Sequence, residues 1–301
     1  MRAIPRNPKT LLEPVRNELS ALGLPVTGLS PFASGLEFAV FRARLGPEQV
    51  VVKTPWQRHI ANDNDADQDA RNLLRQESAL LQFARSIQIP TPDVCLLHVE
   101  GSLDLLVTTL IPNDKSSPDR DDLATILAAL HGASPPTFSL VAQPGPFPAV
   151  VGERLGRRAR VVERISGVRL GLQASGQLEA IIRASPASAS LLHLDIRREN
   201  VLVQNGRIVG LVDWTNALVG DRALELARLA EYGTAPEGFV EAYERRCPTA
   251  TDGALELIYR LDAAVMLAVV FLSEAPDRKQ AALRIKRVRA LVDALQDRLG
   301  R

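Results

Sequence analysis

The chain has 301 residues, of which 46% are hydrophobic, and its formal net charge at pH 7 is +1. A chain of this length and composition can bury one large core or two modest ones, which suits a two-lobed enzyme. Because its charges are nearly balanced, the chain has no strong field for nucleic acid or a membrane surface, and we expect small-molecule partners. The oligomeric state is left open.

Signals for export or membrane insertion are not expected either. No charged start followed by an apolar stretch opens the chain, which argues against a signal peptide. The longest apolar run, at 263–272, is too short to cross a bilayer and predicts a buried core helix. Cys95 and Cys247 match no metal or redox spacing. These features predict a cytoplasmic protein.

The first predicted elements are strands of one sheet. Residues 31–43 indicate a turn that opens a strand, with Ser34 and Gly35 in the turn. Residues 48–53 predict the next strand, which ends in Lys53, one of only five lysines. Two later segments, 93–97 and 103–111, are predicted to complete a five-stranded sheet.

A helix is predicted between these strands. In residues 69–83, apolar side chains from Leu73 to Phe83 recur at helical spacing, and Glu77 lies among them. The preceding stretch, 62–69, is rich in Asp and Asn but lacks the glycine and glutamate that a calcium loop requires. We interpret that stretch as a mobile, solvated loop.

The clearest chemical pattern lies further along, in the segment LLHLDIRRENVLVQNGRIVGLVDW. It contains an H-x-D-x-x-x-x-N loop with Asp195 and Asn200, and Asp213 begins an Asp-Trp pair thirteen positions after the asparagine. Two apolar, β-branched runs flank Asn205-Gly206, a dipeptide that accepts the positive φ values of tight turns. The sequence therefore predicts a hairpin that joins the loop to Asp213.

This layout suits phosphoryl transfer. Transfer from ATP needs a carboxylate to orient and deprotonate the attacking hydroxyl, and oxygen ligands to hold magnesium against the phosphates. We predict that Asp195 is the base and that Asn200 and Asp213 are the magnesium ligands.

The loop and hairpin resemble those of the aminoglycoside phosphotransferase and choline kinase-like family, whose members phosphorylate small molecules and have the protein kinase fold. Leu194 stands where many relatives have glycine, and we expect its side chain to point into the core. His193 is expected to brace the loop through backbone hydrogen bonds. Glu225 replaces the family's usual aspartate, and no catalytic role is assigned to it.

The resemblance implies an α+β, protein kinase-like two-lobed fold. A small N-terminal antiparallel-sheet lobe would comprise residues 1–111 and bind the nucleotide. Residues 112–114 would form the hinge, and residues 115–301 a larger, mainly helical lobe that carries the catalytic and acceptor-binding groups. ATP, or GTP as an alternative, would bind with Mg²⁺ between the lobes.

The resemblance also suggests roles for further residues. Arg197 stands where kinases carry a phosphate-facing lysine, and a fixed positive charge there would stabilise the transferring group. Lys53 would contact the α- and β-phosphates, and Glu77 would hold its ammonium in place. Ser34 and Gly35 lie where the family's phosphate-covering loop is found. Their backbone N–H groups would approach the phosphates, or the segment is a plain hairpin turn.

We therefore predict an ATP-dependent phosphotransferase that moves the γ-phosphate to a hydroxyl of a small molecule. One alternative is a metabolic kinase for an amino alcohol, a sugar or homoserine rather than an antibiotic-resistance enzyme. Another is a pseudokinase that binds nucleotide without turnover. The intact Asp195, Asn200 and Asp213 argue against the pseudokinase.

The charges of two segments expected to line the acceptor site also carry a prediction. Residues 152–183 hold seven arginines against three glutamates, a balance of +4, and residues 252–277 hold five acidic residues against one arginine, a balance of −4. A pocket for several ammonium groups should be acidic on most sides. We predict that polycationic aminoglycosides are poor acceptors and that a neutral, zwitterionic or singly charged acceptor fits better.

Overall fold

The computed structural model describes residues 7–65, 68–185, 189–249 and 253–300. Asp67 of the acidic stretch and Asp252 of the second charged segment lie outside these ranges. The strands are β1 (Thr27–Ser34), β2 (Phe38–Leu45), β3 (Glu48–Pro55), β4 (His59–Ile60), β5 (Gln68–Asp69), β6 (Val94–His98), β7 (Leu105–Thr109), β8 (Ser190–Leu192), β9 (Val201–Gln204), β10 (Arg207–Leu211) and β11 (Leu218–Gly220). The α-helices are α1 (Leu12–Ala21), α2 (Ala70–Ser86), α3 (Arg120–Gly132), α4 (Phe147–Ser166), α5 (Ser175–Ala184), α6 (Ala223–Tyr232), α7 (Phe239–Glu244), α8 (Gly253–Val269) and α9 (Arg278–Arg298).

The predicted five-stranded sheet is present near the N-terminus, with the order β1-β2-β3-β7-β6 and antiparallel pairing throughout. The predicted turn is shifted, because β1 extends to Ser34 and the turn follows it. Pro31 is accommodated because β1 is an edge strand, where a missing N–H removes no interior ladder bond. Lys53 lies on the central strand, opposite Val40 on one side and Leu106 on the other.

The predicted helix is α2, and it packs against two different cores. Asp69 caps its start by accepting a hydrogen bond from the Arg71 N–H at 2.9 Å. Leu73 and Leu74 pack against the sheet, whereas Leu80 and Leu81 pack against α3 and the β9–β10 hairpin. Glu77 lies between these two packing regions, so both cores fix its position.

The rest of the chain is mainly helical, with its largest core between α4, α5, α6, α8 and α9. The predicted hairpin is β9–β10, whose turn holds Asn205 at φ 53° and Gly206 at φ 77°. The apolar run at 263–272 belongs to buried α8 and to the π-helical segment Val270–Glu274 that follows it. Among the residues described, no helix is long and apolar enough to span a membrane.

Candidate active site

Lys53 joins the sheet to the segment after the hairpin. Its Nζ lies 2.6 Å from the Glu77 Oε2 and 3.0 Å from the Asp213 Oδ1, although Asp213 is 160 positions away in sequence. Burial alone would lower the pKa of Lys53, but the Asp213 and Glu77 carboxylates raise it above its usual range. The ammonium is therefore charged and fixed between two anions. The predicted contact between Lys53 and Glu77 is present.

Asp213 is held as an ionised group at the end of the hairpin. Its backbone adopts φ 66°, and its Oδ1 also accepts a hydrogen bond from the Thr215 hydroxyl at 3.0 Å. Burial alone would raise the pKa of Asp213, but the Lys53 ammonium and the two hydrogen bonds hold it below its usual range. Gln76 of α2 secures the same segment by donating to the Trp214 carbonyl at 2.8 Å.

Asp195 is the buried centre of the catalytic-loop pattern. Its Oδ2 accepts a hydrogen bond from Asn200 Nδ2 at 2.6 Å, and its Oδ1 lies 3.0 Å from the Arg197 Nε. The Tyr232 hydroxyl donates to the same Oδ1 at 3.2 Å, and Tyr232 in turn accepts from the Arg228 Nε at 3.1 Å. The carboxylate is thus oriented by two hydrogen-bond donors and paired with the Arg197 guanidinium.

The residue before Asp195 has a backbone conformation that favours glycine. Leu194 has φ 59°, a conformation that costs little only for glycine, and its side chain is fully buried in the core as expected. The Glu225 carboxylate compensates by accepting hydrogen bonds from the His193 N–H at 2.6 Å and the Leu194 N–H at 2.8 Å. Glu225 therefore holds the strained turn, a role that the sequence did not reveal.

His193 braces the loop, as predicted. Its Nε2 lies 3.1 Å from the Val212 carbonyl, and its Nδ1 accepts from the Asp195 N–H at 3.2 Å. This pairing requires the hydrogen on Nε2, a neutral tautomer. Burial lowers the pKa of His193 despite the nearby carboxylates, which is consistent with that neutral form. The ring links the loop to the strand that leads into Asp213.

One cavity of about 880 Å³ brings the predicted site residues together. Its wall includes all eight of them: Ser34, Gly35, Lys53, Glu77, Asp195, Arg197, Asn200 and Asp213. The volume lies within the usual range for small-molecule sites. Apolar side chains from the sheet and from the hairpin also line it, including Val40, Val51 and Leu202. Gly35 uses its own N–H to bond the Phe38 carbonyl at 3.0 Å, which closes the turn after β1.

Asn200 and Asp213 offer oxygen donors that suit Mg²⁺. The Asn200 Nδ2 donates to Asp195, so the Asn200 Oδ1 is the remaining polar atom of that side chain. Asp213 has an ionised carboxylate. The Val212 N–H donates to the Asn200 carbonyl at 3.0 Å, so the two residues are coupled through the backbone. Magnesium prefers oxygen ligands and keeps open positions for water and phosphate. Within the described ranges, no three His, Cys, Asp or Glu side chains are grouped to hold a metal by themselves.

Another part of the cavity wall corrects the interpretation of the acidic stretch. Asn64 is only 3% exposed and donates from Nδ2 to the Glu274 Oε2 at 3.1 Å, so the described part of 62–69 is not a solvated loop at that position. The Arg158 Nε donates to the Asn64 carbonyl at 3.0 Å. The polar side chains of this stretch are used for tertiary contacts, which a composition rich in Asp and Asn does not predict.

The structure also shows how the opposing charges of segments 152–183 and 252–277 are arranged. Arg154 forms a bidentate ion pair with buried Asp262, at 2.9 and 2.6 Å, and the Arg158 Nη1 lies 3.4 Å from the same carboxylate. Part of the predicted contrast is therefore neutralised between α4 and α8. Of the charged residues in the two segments, only Arg158 and Glu274 are part of the cavity wall among the described residues.

Two functional candidates on α6 were missed from the sequence. Arg228 and Tyr232 lie one helical turn apart and reach Asp195 as a chain of hydrogen bonds. Together with Glu225 they recur at positions 225, 228 and 232 of a helix that is otherwise largely apolar. A polar stripe at helical spacing on an apolar helix is the signal that indicates such an inward-facing group.

Comparisons with known sequences place the chain in a family of phosphotransferases. A sequence model of the phosphotransferase enzyme family matches residues 28–253. The thiamine kinase of Shigella boydii serotype 4 (strain Sb227) is 30% identical over 205 residues, which cover 67% of this chain and 65% of that protein. The match thus spans slightly less than two thirds of the length of the curated relative.

Solved structures share the fold. A thermostable mutant of aminoglycoside phosphotransferase APH(4)-Ia, in a ternary complex with AMP-PNP and hygromycin B, aligns with a TM-score of 0.68 and 18% identity over 93% of this chain and 97% of that chain. Choline kinase LicA from Streptococcus pneumoniae aligns with a TM-score of 0.63 and 15% identity over 95% and 99% of the two chains. These likenesses confirm the protein kinase-like α+β fold.

Proposed function

This chain belongs to the phosphotransferase enzyme family, and we propose that it transfers the γ-phosphate of ATP to a hydroxyl group of a small molecule. The observation that carries the proposal is the position of Lys53 between Glu77 and Asp213, in a cavity whose wall also holds Asp195 and Asn200. An ordered ammonium, a buried carboxylate and two oxygen ligands are the groups that phosphoryl transfer requires. GTP is the alternative donor.

We assign the roles as follows. Asp195 accepts the proton of the acceptor hydroxyl while the hydroxyl oxygen forms a bond to the γ-phosphorus and the bond to the ADP oxygen breaks. Lys53 orients the phosphates, with Glu77 holding its ammonium. Arg197 places a positive charge beside Asp195 and the transferring group. When bound, Mg²⁺ would offset phosphate charge, and Asn200 and Asp213 would hold it.

We also propose the division into lobes that the sequence predicted. After β7, the Leu110 N–H still bonds the Gln49 carbonyl of the sheet at 2.9 Å, whereas the Asp114 N–H bonds the Val203 carbonyl of the hairpin at 2.9 Å. Residues 112–114 therefore lie where the chain leaves the sheet, which supports a hinge there between a lobe at 1–111 and a lobe at 115–301. The turn with Ser34 and Gly35 would cover the phosphates from the sheet side, although the Gly35 N–H already closes that turn. Because its donor is an intracellular nucleotide, we propose that the enzyme is cytoplasmic.

We propose a small alcohol with a single positive charge as the acceptor, with thiamine as the first compound to test. Two observations support it: the relatives are named thiamine kinases, and the cavity wall holds the carboxylates of Glu37 and Glu274. A metabolic acceptor of this kind is favoured over a polycationic aminoglycoside, because Arg158, Arg197 and Arg228 also line the cavity.

The test is a screen for ADP release that depends on the acceptor. The panel contains thiamine, choline, ethanolamine, homoserine, a sugar and two aminoglycosides, each with ATP and Mg²⁺, and Asp195→Asn is the control. We expect one class of alcohol to raise ADP release with the wild type only, and mass spectrometry to find the phosphorylated alcohol. Nucleotide binding without ADP release or product for any alcohol would favour the pseudokinase and contradict the proposal.

A further inference from the structure

Three carboxylates from distant parts of the sequence share one region of the cavity wall. Glu37 lies in the turn after β1, Asp65 follows β4, and Glu274 ends the π-helical segment after α8. Asp65 is paired with the Arg158 Nη2 at 3.2 Å. Across the part of the chain that the structure describes, neither Glu37 nor Glu274 forms an ion pair with a lysine or arginine. Two carboxyl groups here are left without a cationic partner.

Asn64 adds a second, independent observation. Its Nδ2 donates to the Glu274 Oε2 at 3.1 Å and to the Met266 carbonyl at 3.3 Å. Both neighbours can only accept hydrogen bonds, so the orientation of the amide group is fixed. The Oδ1 is then left buried with no donor among the residues described, although Asn64 is part of the cavity wall. Such an atom is costly to leave unpaired, which points to a ligand that supplies an N–H or O–H.

The protein also holds Glu274 in a fixed position. The Ala275 N–H bonds the Val270 carbonyl at 2.8 Å, five residues back, which widens the last turn of the helix. Wide turns of this kind are frequent at functional sites. The Asn64 backbone N–H donates to the Glu274 Oε1 at 3.1 Å, so both carboxylate oxygens accept from one residue. Glu274 is a positioned anion rather than a freely moving surface side chain.

We propose that this region, formed by Asn64, Glu274 and Glu37, binds a cationic acceptor that presents an N–H donor. The carboxylates attract the positive charge, and the Asn64 Oδ1 accepts the N–H. Met266 and Phe271 in the same wall contact the apolar part of the acceptor. The inference rests on the proposed function, because the ligand is an acceptor only if the protein is a phosphotransferase. It excludes alcohols whose ammonium nitrogen is fully substituted as good ligands.

Titration calorimetry on the full chain tests the site with paired probes. Ethanolamine and dimethylethanolamine, whose protonated amines keep at least one N–H, are each compared with choline, which has none. We expect the member of each pair that has the N–H group to bind about tenfold or more tightly. Equal affinities within both pairs, or no binding by any probe, would overturn the proposal.

Variants separate the site from general effects of charge. Glu274→Gln removes one charge from the site, and Glu256→Gln removes one from the exposed side of α8. We expect Glu274→Gln to weaken binding of the amine probe about tenfold, with the affinity for AMP-PNP and Mg²⁺ unchanged, and Glu256→Gln to change neither. If Glu274→Gln does not fold, Glu37→Gln replaces it, because no side-chain hydrogen bond of Glu37 is found within the described ranges. Equal effects of the site variant and Glu256→Gln would refute the assignment.

Failure of this inference is distinguishable from failure of the proposed function. Amine binding that depends on Glu274 without any phosphorylated product would leave the site intact and refute the phosphotransferase. Phosphorylation of a neutral alcohol, with amine binding insensitive to Glu274, would keep the phosphotransferase and refute the site.

Discussion

The cavity has two regions that differ in how their charges are satisfied. Around Lys53 and Asp195 the protein supplies the partners itself: the ammonium pairs with two carboxylates, and Asp195 pairs with Arg197. Around Asn64 and Glu274 the described residues leave carboxylates without cations and one amide oxygen without a donor. The protein itself holds the charged groups of the first region in place, whereas the second region fits the cationic acceptor proposed above.

This contrast has a mechanistic consequence. Groups that are paired within the protein keep their geometry before any ligand arrives, which is how electrostatic stabilisation of a transition state is achieved at low cost. Groups that lack partners favour a ligand of opposite character and thus determine which acceptor binds. Changes in the first region should alter turnover or nucleotide binding, and changes in the second should alter acceptor affinity.

The largest effect is expected for Asp213→Ala. Removal of this carboxylate takes away one of the two proposed magnesium ligands, so the part of AMP-PNP affinity that depends on Mg²⁺ should disappear. Calorimetry with and without Mg²⁺ measures it, and Asp293→Ala on the exposed side of α9 is the matched control. If magnesium still strengthens binding to Asp213→Ala as it does to the wild type, Asp213 is not a ligand.

Asp195→Asn should lower kcat by roughly 10²–10⁴, the usual contribution of a positioned general base. The amide keeps the shape of the side chain but cannot take the proton, so AMP-PNP affinity and thermal stability should stay near the wild-type values. Steady-state kinetics on the identified acceptor measure the effect. More than about half of the wild-type turnover would mean that another group is the base.

Lys53→Met should lower kcat by about 10²-fold and weaken nucleotide binding, because the phosphates lose a fixed positive charge. Glu77→Gln should show a milder form of the same defect, since Glu77 acts by orienting the ammonium. The double variant should then be less impaired than the sum of the two predicts. Additivity within about 0.5 kcal/mol would show that the 2.6 Å contact has no energetic consequence.

The smallest effect is expected in the acceptor region, from the titration of Glu37. Burial and the Asp65, Asp213 and Glu274 carboxylates raise the pKa of Glu37 to about 7, although Lys53 opposes this. The carboxyl is neutral below that pH and negative above it, so thiamine, whose thiazolium charge does not titrate, should bind severalfold more tightly as pH rises from about 6 to about 8. Glu37→Gln should flatten this profile in calorimetry without nucleotide, and an unchanged profile would show that another group titrates.

The sequence predicted which residues meet around Lys53 and Asp195, because their positions follow from local patterns and from the chain order of the elements. Asp195, Asn200 and Asp213 fall within one loop and one hairpin, and the Asn205-Gly206 turn fixes how that hairpin closes. Lys53 lies at the end of the apolar pattern that predicts a strand, and Glu77 lies within the pattern that predicts a helix. Element types and order therefore bring these residues close to one another.

The acceptor region could not be predicted in this way. Asn64 and Glu274 are separated by 210 positions, and nothing in the local pattern of either indicates the other. Arg154 and Asp262 belong to the two segments that the sequence predicted to line the acceptor site, yet they form a buried ion pair between two helices. Charge counts over a segment cannot distinguish side chains that face solvent from those that neutralise each other, because only the packing of α4 against α8 decides it.

The most direct test of the central claim follows the labelled phosphate itself. Wild-type protein and Asp195→Asn are incubated with Mg²⁺, γ-labelled ATP and the best alcohol from the screen, and the label is located by chromatography. We predict that the wild type moves the label to the alcohol, and that Asp195→Asn binds the nucleotide equally well but leaves the label on ATP. Label released only as inorganic phosphate, or equal transfer by both proteins, would contradict the account.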